Sequence, residues 1–333
     1  MRQLFLNEEV RLRAGWRLLS QFLLYSVGVS LLGGLALATV AGPSPGAGTG
    51  QSPYLPVLFY AGAALVATAS VWACGRSLDG RPFSGFGLRL GRDWWSDLGF
   101  GLLLGALLMT GIFLVQLAAG WASVTGSFVG AEGGAFFPAI LAPAALFVCV
   151  GFYEELVSRG YQLTNLAEGL NCAIGPKGAI VLAWVLSSSV FAAAHLFNPN
   201  AGVLSTLNIF LAGMMLGAGY VLTGQLAIPI GLHTTWNFFQ GNVFGFPVSG
   251  LDLVGATFLS TRQTGPDLLT GGPFGPEAGL LTSVATAVGV GLIALRVRRR
   301  AGGKLGLHLP LAESPLSPRR QGPDDGDKPK PGS

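Results

Sequence analysis

Charged side chains are scarce in this sequence. Asp, Glu, Lys and Arg together make up 11% of the 333 residues, whereas apolar residues make up 50%. A soluble domain carries about 25% charged residues, so most of this chain is expected to face lipid or other apolar segments. The formal net charge of +4 is small. This charge gives no sign of a nucleic-acid-binding surface, and no nucleic-acid partner is predicted.

The sequence also lacks the motifs of several hydrolase classes. It contains no H-E-x-x-H zinc motif, no G-x-S-x-G nucleophile turn and no Gly-rich phosphate loop. No pair of Asp residues lies in facing apolar segments. Its three cysteines form no spacing motif, and no disulfide is predicted. These absences argue against serine-type and aspartyl-type chemistry within the membrane.

Long apolar runs are abundant instead. A membrane-spanning helix needs about 20 mainly apolar residues. Eight segments meet this need: 18–40, 54–74, 96–119, 136–157, 178–197, 203–222, 226–246 and 278–298. The seventh is the most polar, and it can span only if its polar side chains face the interior of a bundle. The pattern predicts an all-α fold, a polytopic membrane helix bundle with about eight transmembrane helices.

The loops between these segments differ in positive charge. Lys and Arg are concentrated near the N-terminus, after segments 2 and 4, and at the end of segment 8, whereas the intervening loops hold only Arg262. Because positive residues favour the cytoplasm, both termini are predicted to be cytoplasmic, in a protein of the plasma membrane. The predicted organisation is a cytoplasmic amphipathic lead over 1–17, a helix bundle over 18–300 and a disordered cytoplasmic tail over 301–333.

Ionisable side chains inside three of the apolar segments do not fit a purely structural bundle. "FYEELVSRGYQ" places Glu154, Glu155 and Arg159 at the end of segment 4. Two of the three histidines, His195 and His233, also lie in apolar segments. Ionisable residues inside membrane segments are rare and are usually functional.

The spacing of these residues predicts that they meet. Glu155 and Arg159 are four positions apart, as are Phe191 and His195, and His233 and Asn237, so each pair lies on one helical face. Buried polar groups in lipid must find partners, and one shared cavity satisfies all three faces. Alone, the ion pair could be interfacial and each histidine could be a helix–helix hydrogen bonder. Together, they favour a functional site.

Two chemistries are open to such a site. A buried carboxylate beside a cation suits a general base that activates water. A histidine can share the proton, and a second histidine with an Asn amide can stabilise an oxyanion. The same atoms could hold a metal, because His195, His233 and a glutamate match the ligand set of a catalytic zinc site.

At these residues the sequence resembles a known family. Glu154-Glu155-x-x-x-Arg159, Phe191-x-x-x-His195 and His233-x-x-x-Asn237 follow in order on three predicted helices. This trio resembles the CPBP family, which comprises the CAAX proteases and bacteriocin-processing enzymes, also called Abi or Rce1-type intramembrane proteases. The family-type core is expected at about 136–246.

The resemblance implies an intramembrane endopeptidase with six site residues. Glu154 would be the water-activating base and His195 its assistant. His233 and Asn237 would stabilise the oxyanion, while the ion pair of Glu155 and Arg159 would hold the site together. The implied partners are membrane lipid and a peptide or protein substrate.

The cofactor of such an enzyme stays open. A divalent metal such as zinc, held by Glu154, His195 and His233, and a metal-free glutamate mechanism are both compatible with the resemblance. Two other functions are also open for the whole chain: a non-catalytic membrane scaffold that retains the fold, and a proton-coupled transporter.

The boundaries of the apolar segments pose one problem for a single site. They put Glu154 near the cytoplasmic end of segment 4 and His195 near the outer end of segment 5. We therefore predict that the fourth helix continues past Arg159 towards Glu168, and that segment 5 starts below the membrane.

Overall fold

The computed structural model describes residues 2–40, 55–130, 135–252 and 255–316. Helices dominate it, and they are α1 Arg2–Phe5, α2 Ala14–Val40, α3 Leu55–Cys74, α4 Arg92–Ala118, α5 Phe136–Glu155, α6 Thr164–Ala193, α7 Val203–Thr223, α8 Ala227–Phe238, α9 Asp267–Thr270 and α10 Leu280–Arg300. Three π-helices occur at Gly75–Asp79, Leu156–Leu163 and Phe239–Val243. Short 3-10 helices occur at Phe83–Phe86, Gly272–Phe274, Pro276–Ala278 and Leu309–Ala312.

Six helical stretches of the described chain are long and apolar enough to cross a membrane. They are Ala14–Ala38, Leu55–Asp79, Arg92–Ala118, Phe136–Ala193, Val203–Thr223 and Leu280–Arg300. The predicted polytopic helical bundle is confirmed. Two predicted segments, 136–157 and 178–197, merge into the 58-residue stretch. The seventh predicted segment forms α8 and the π-helix Phe239–Val243 that continues it, and it is not among these six stretches.

The predicted continuation of the fourth helix is confirmed. α5 passes directly into the π-helix Leu156–Leu163 and then into α6, with no break before Gly175. Gly175 has φ 71° and ψ 167°, and Pro176 follows it. A positive φ suits glycine, and proline starts a new helix well. The second half of α6 therefore runs back across the bundle from this point.

Helix α8 lies in the interior of the bundle. Its residues are buried almost throughout, and it packs against α4, α5 and α7. Glycine permits close approach of α5, because a Cβ on Gly151 would lie 2.4 Å from Thr234 Oγ1 of α8. A helix surrounded by protein can carry polar side chains that lipid would not accept. Gly151 thus brings the Glu155 end of α5 next to His233.

A small sheet was not predicted from the sequence. Strands β1 Ala122–Val129 and β2 Thr257–Gln263 pair antiparallel, with Ala122 opposite Gln263 and Val129 opposite Thr257. The sheet joins the α4–α5 loop to the α8–α10 loop. Both loops are poor in Lys and Arg, so their pairing agrees with the predicted alternation of loops.

The two ends of the described chain meet on one side of the bundle. Arg11 Nη2 lies 2.6 Å from Glu168 Oε1 of α6 and 2.8 Å from Ser314 Oγ. Arg17 bonds Glu168 Oε1 at 2.9 Å and Asp79 Oδ1 at 3.1 Å. The N-terminal segment and the last described residues therefore lie against the same part of α6.

The prediction of a disordered tail from 301 is wrong for its first part. Residues 304–316 form an ordered strap, in which His308 N–H donates to Val221 O at 2.8 Å. Leu311 and Ala312 of this strap are buried in the core. The tail from 301 to 333 is rich in Pro, Gly and charge, but residues 304–316 contain five leucines, and burial of apolar side chains favours docking of this part. Residues 317–333 lie outside the described residues.

Candidate active site

The ion pair predicted within the Glu-Glu-x-x-x-Arg motif is present and fully buried. Arg159 Nη1 lies 2.8 Å from Glu155 Oε1, and the two side chains are 1% and 0% exposed. The other Arg159 nitrogen, Nη2, donates to Gly213 O of α7 at 3.0 Å. The π-helix that begins at Leu156 carries Arg159, and such widened turns often occur at functional sites. This pair ties α5 to α7.

His233 shares the same carboxylate oxygen. Its Nδ1 lies 2.8 Å from Glu155 Oε1. Because an ionised carboxylate only accepts hydrogen bonds, Nδ1 carries the proton. The opposite ring nitrogen, Nε2, lies 3.9 Å from Glu154 Oε2. Glu155 therefore fixes the orientation of the imidazole, and Nε2 faces the second carboxylate of the motif.

The Phe191 ring lies against a residue of each of the three motifs. The Arg159 guanidinium lies 4.4 Å from the centre of the Phe191 ring, which is within cation–π distance. The ring centres of Phe191 and His195 are 4.9 Å apart, and those of Phe191 and His233 are 6.1 Å apart. The i,i+4 spacing of Phe191 and His195 thus serves the packing of the site.

Glu154 is the carboxylate that faces open space. Its side chain is 20% exposed and lines a cavity of about 430 Å³ between the helices. Tyr153 Oη donates to Glu154 Oε1 at 3.2 Å, which leaves Oε2 on the side of His233. A separation of 3.9 Å is too long for a direct hydrogen bond but suits a bridging water.

The cavity collects four of the six predicted residues. Glu154, His195, His233 and Asn237 line it, whereas Glu155 and Arg159 lie behind its wall. His195 follows the end of α6, and its Nδ1 lies 2.8 Å from Phe191 O, so Nε2 of the neutral ring is the acceptor nitrogen. Of the two histidines at the cavity, His233 is the one whose imidazole lies within 4 Å of Glu154.

The residues of the site do not form a ready metal centre. No three His, Cys, Asp or Glu side chains in the described ranges are arranged to hold a metal ion. Within the predicted ligand set of Glu154, His195 and His233, one pair of donor atoms lies within ion-pair distance: Glu154 Oε2 and His233 Nε2 are 3.9 Å apart. A catalytic zinc site needs three protein ligands whose donor atoms each lie about 2.0–2.2 Å from the metal ion. The three predicted ligands are therefore not grouped around one point in the described part of the chain.

Two further polar residues at this cavity, Tyr153 and Glu277, were not predicted from the sequence. Tyr153 touches Glu154, and Glu277 lines the cavity from the 3-10 helix Pro276–Ala278. A tyrosine directly before the two glutamates is a signal that could have been used. Glu277 lies in "GGPFGPEAG", which is typical of an exposed turn, so its sequence context gives no such signal.

One family comparison places this site among known proteins. Residues 136–239 match the family model described as Rce1-like, type II CAAX prenyl endopeptidase Rce1-like. The match spans α5 to α8 and includes all six predicted site residues. No curated protein and no solved structure matches the chain. Within the helix bundle of this integral membrane protein, residues 136–239 are therefore similar to the Rce1-like family.

Proposed function

We propose that the protein is an intramembrane endopeptidase that hydrolyses peptide bonds with a water molecule activated by Glu154. One observation carries the proposal. The Glu154 carboxylate faces a cavity inside an apolar bundle, with His233 Nε2 at 3.9 Å. A family of peptidases shares this part of the chain. The substrate is a peptide or protein segment that reaches the cavity from the membrane.

Glu154 acts as the general base. Tyr153 Oη holds Oε1, so Oε2 is free to take a proton from water. Attack of this water on the scissile carbonyl carbon forms a tetrahedral oxyanion, and the proton stays on Glu154. A base within hydrogen-bond reach of its water contributes about 10²–10⁴-fold to such a step.

His233 and Asn237 stabilise the oxyanion. The charged side chains next to His233 are Glu154, Glu155 and Arg159, so a protonated His233 makes this group of four neutral. Neutrality is favoured because uncompensated charge is costly in a dry site. The Nε2–H of this imidazolium and the Asn237 amide can then both donate to the oxyanion.

The leaving amine needs a proton. Protonated Glu154 returns it to the amide nitrogen, and the C–N bond then breaks. His195 assists from the same cavity, because its Nε2 can accept a hydrogen bond from the water or from the amine. Glu155 and Arg159 act as positioning residues, since both lie behind the cavity wall.

No step of this mechanism runs through a metal. A metal-assisted version would use Glu154, His195 and His233, and these side chains would have to move together to hold zinc. A chelator tests that version directly.

We also propose that the protein lies in the plasma membrane with both termini cytoplasmic. The contact of Arg11 with Ser314 supports termini on a common side, and the positive loops support that side being the cytoplasm. The test is labelling of a cysteine introduced at position 8 or at position 316 in intact cells. A membrane-impermeant thiol reagent should label neither cysteine, because both positions face the cytoplasm.

The test of the activity is cleavage of a fluorogenic peptide library by the purified protein. Glu154→Ala is compared with the wild type and with Glu8→Gln, a change at an exposed carboxylate. The proposal expects product from the wild type and the control only, and the same rate with a chelator. Cleavage that survives Glu154→Ala contradicts the base assignment, and cleavage that the chelator stops supports the metal version.

A further inference from the structure

The side chains that line the active-site cavity carry negative charge but no permanent positive charge. Among the described lining residues, Glu154 and Glu277 are carboxylates, His195 and His233 are imidazoles, and none is Lys or Arg. The nearby Arg159 lies behind the wall, where Glu155 and Gly213 O take its nitrogens. The cavity is therefore chemically suited to a neutral or positively charged group.

Glu277 is a buried carboxylate that is held by hydrogen bonds. It is 6% exposed, and Ser249 donates to its Oε2 with both N–H and Oγ–H. Ser249 has φ 49°, a left-handed conformation that is uncommon for a residue other than glycine. Such a backbone is retained where the surrounding structure fixes it.

The turn that carries Glu277 is fastened to the bundle. Asn208 Nδ2 of α7 donates to Gly279 O at 2.9 Å, and Thr282 Oγ1 donates to Pro276 O at 2.7 Å. Gly275 has φ 100°, and a Cβ there would lie 2.2 Å from Pro247 O. This fixed turn gives Glu277 a constant position at the cavity, as a recognition group requires.

Other buried carboxylates of the protein have an arginine partner, and Glu277 has none among the described residues. Asp79 pairs with Arg17, Asp97 with Arg300, and Glu155 with Arg159. Burial raises the pKa of Glu277, against the lowering effects of the hydrogen bonds from Ser249 and Gln240 and of the nearby His195. A buried carboxylate without a cation is unfavourable, so a cation supplied by a ligand would be bound well.

We propose that Glu277 binds a Lys or Arg side chain of the peptide substrate, next to the bond that is presented to Glu154. This assignment rests on the proposed function and names the substrate class. Ile209, Ala212 and Leu251 line the same cavity. Their apolar surface suits the methylene stem of such a side chain while its charged end reaches the carboxylate.

The same arrangement rejects acidic groups. An aspartate, glutamate or C-terminal carboxylate in this part of the cavity would face Glu277 and find no fixed cation. Charge repulsion of this kind is a common source of specificity. The expected substrate is thus a basic peptide segment.

Binding to an inactive protein tests the proposal apart from catalysis. Labelled peptides that differ at one position, Lys, norleucine or Glu, are titrated against Glu154→Gln in nanodiscs and followed by fluorescence anisotropy. The Lys peptide is expected to bind about 10- to 100-fold more tightly than the norleucine peptide, as a buried charge pair allows. The Glu peptide is expected to bind most weakly.

The double variant Glu154→Gln/Glu277→Gln identifies the group responsible. Glutamine keeps an oxygen for Ser249, and the Lys preference should fall to about 1-fold while norleucine binding is unchanged. Loss of norleucine binding would show that Glu277→Gln damages the fold. Glu277→Asp is then used in place of Glu277→Gln, and it is expected to keep the preference for Lys. The proposal is overturned if the Lys and norleucine peptides bind equally, if neither peptide binds, or if the preference for Lys survives Glu277→Gln. Loss of cleavage in the wild type, with the binding preference intact, would instead count against the proposed function.

Discussion

His233 Nδ1 and Arg159 Nη1 both lie 2.8 Å from a single atom, Glu155 Oε1. Glu155 is fully buried, so this oxygen links α5, the π-helix and α8 without touching the cavity. The arrangement divides the two adjacent glutamates by role. Glu155 holds the imidazole and the guanidinium, and Glu154 faces the space where a substrate would lie.

Replacing Glu155 should therefore affect stability as well as turnover. Glu155→Ala leaves Arg159 buried and unpaired, which costs about 3–5 kcal/mol, and it frees the His233 ring. We expect a lower midpoint of thermal unfolding in detergent and a lower kcat. Arg159→Met and the double variant complete a double-mutant cycle. The double variant should be less destabilised than the sum of the two single variants, and strict additivity would contradict the pairing.

Asn237 should matter for turnover but not for folding. It lines the cavity and lies one helical turn after His233. Loss of one oxyanion donor typically lowers kcat by about 10²–10³-fold, so Asn237→Ala should do the same with little change in KM. Asn200→Gly is the matched control, because Asn200 is exposed with φ 60°. A normal kcat in Asn237→Ala would remove this residue from the site.

Phe191 should stabilise the site through the contacts of its aromatic ring rather than through the volume that its side chain fills. Phe191→Leu removes the contact with the Arg159 guanidinium, and a buried cation–π contact is worth about 2 kcal/mol. We expect a lower unfolding midpoint and reduced activity. Phe197→Leu serves as the control, because Phe197 is 97% exposed. Equal effects of the two substitutions would contradict the central position of Phe191.

Much of this site follows from the sequence, because periodicity decides which side chains share a helical face. The pairs Glu155–Arg159 and His233–Asn237 each lie on one face in the structure, as their spacing predicts. The continuation of the fourth helix also follows, since one cavity needs Glu154 and His195 at one depth.

The parts that could not be predicted depend on contacts between distant segments. Glu277 lies 123 positions after Glu154, in a Gly- and Pro-rich stretch whose burial depends on Asn208 and Ser249. The ordered strap at 304–316 depends in the same way on docking of Leu311 and Ala312. Neither composition nor periodicity records such contacts.

The stability of the protein should depend on pH through Glu277. Burial raises the pKa of Glu277, and this effect is only partly opposed by the hydrogen bonds from Ser249 and Gln240 and by the charge of the nearby His195. The folded state then holds this proton more tightly than the unfolded state. Stability from this group is full below about pH 4.5 and is lost as the pH rises through the folded pKa.

The measurement is the unfolding midpoint against pH for the wild type and Glu277→Gln. The substitution should raise the midpoint at neutral and higher pH relative to the wild type, with a smaller difference in acid. A difference that is the same at every pH would show that this carboxyl group does not titrate differently on folding.

The most direct test of the account is the rate of a single turnover with Glu154→Gln. This change keeps the shape of the side chain and an oxygen for Tyr153 but removes the base. A peptide that the wild type cleaves is expected to bind to Glu154→Gln with similar affinity and to be cleaved at least about 10²-fold more slowly. Cleavage by Glu154→Gln at the wild-type rate would contradict the central claim that Glu154 activates the water.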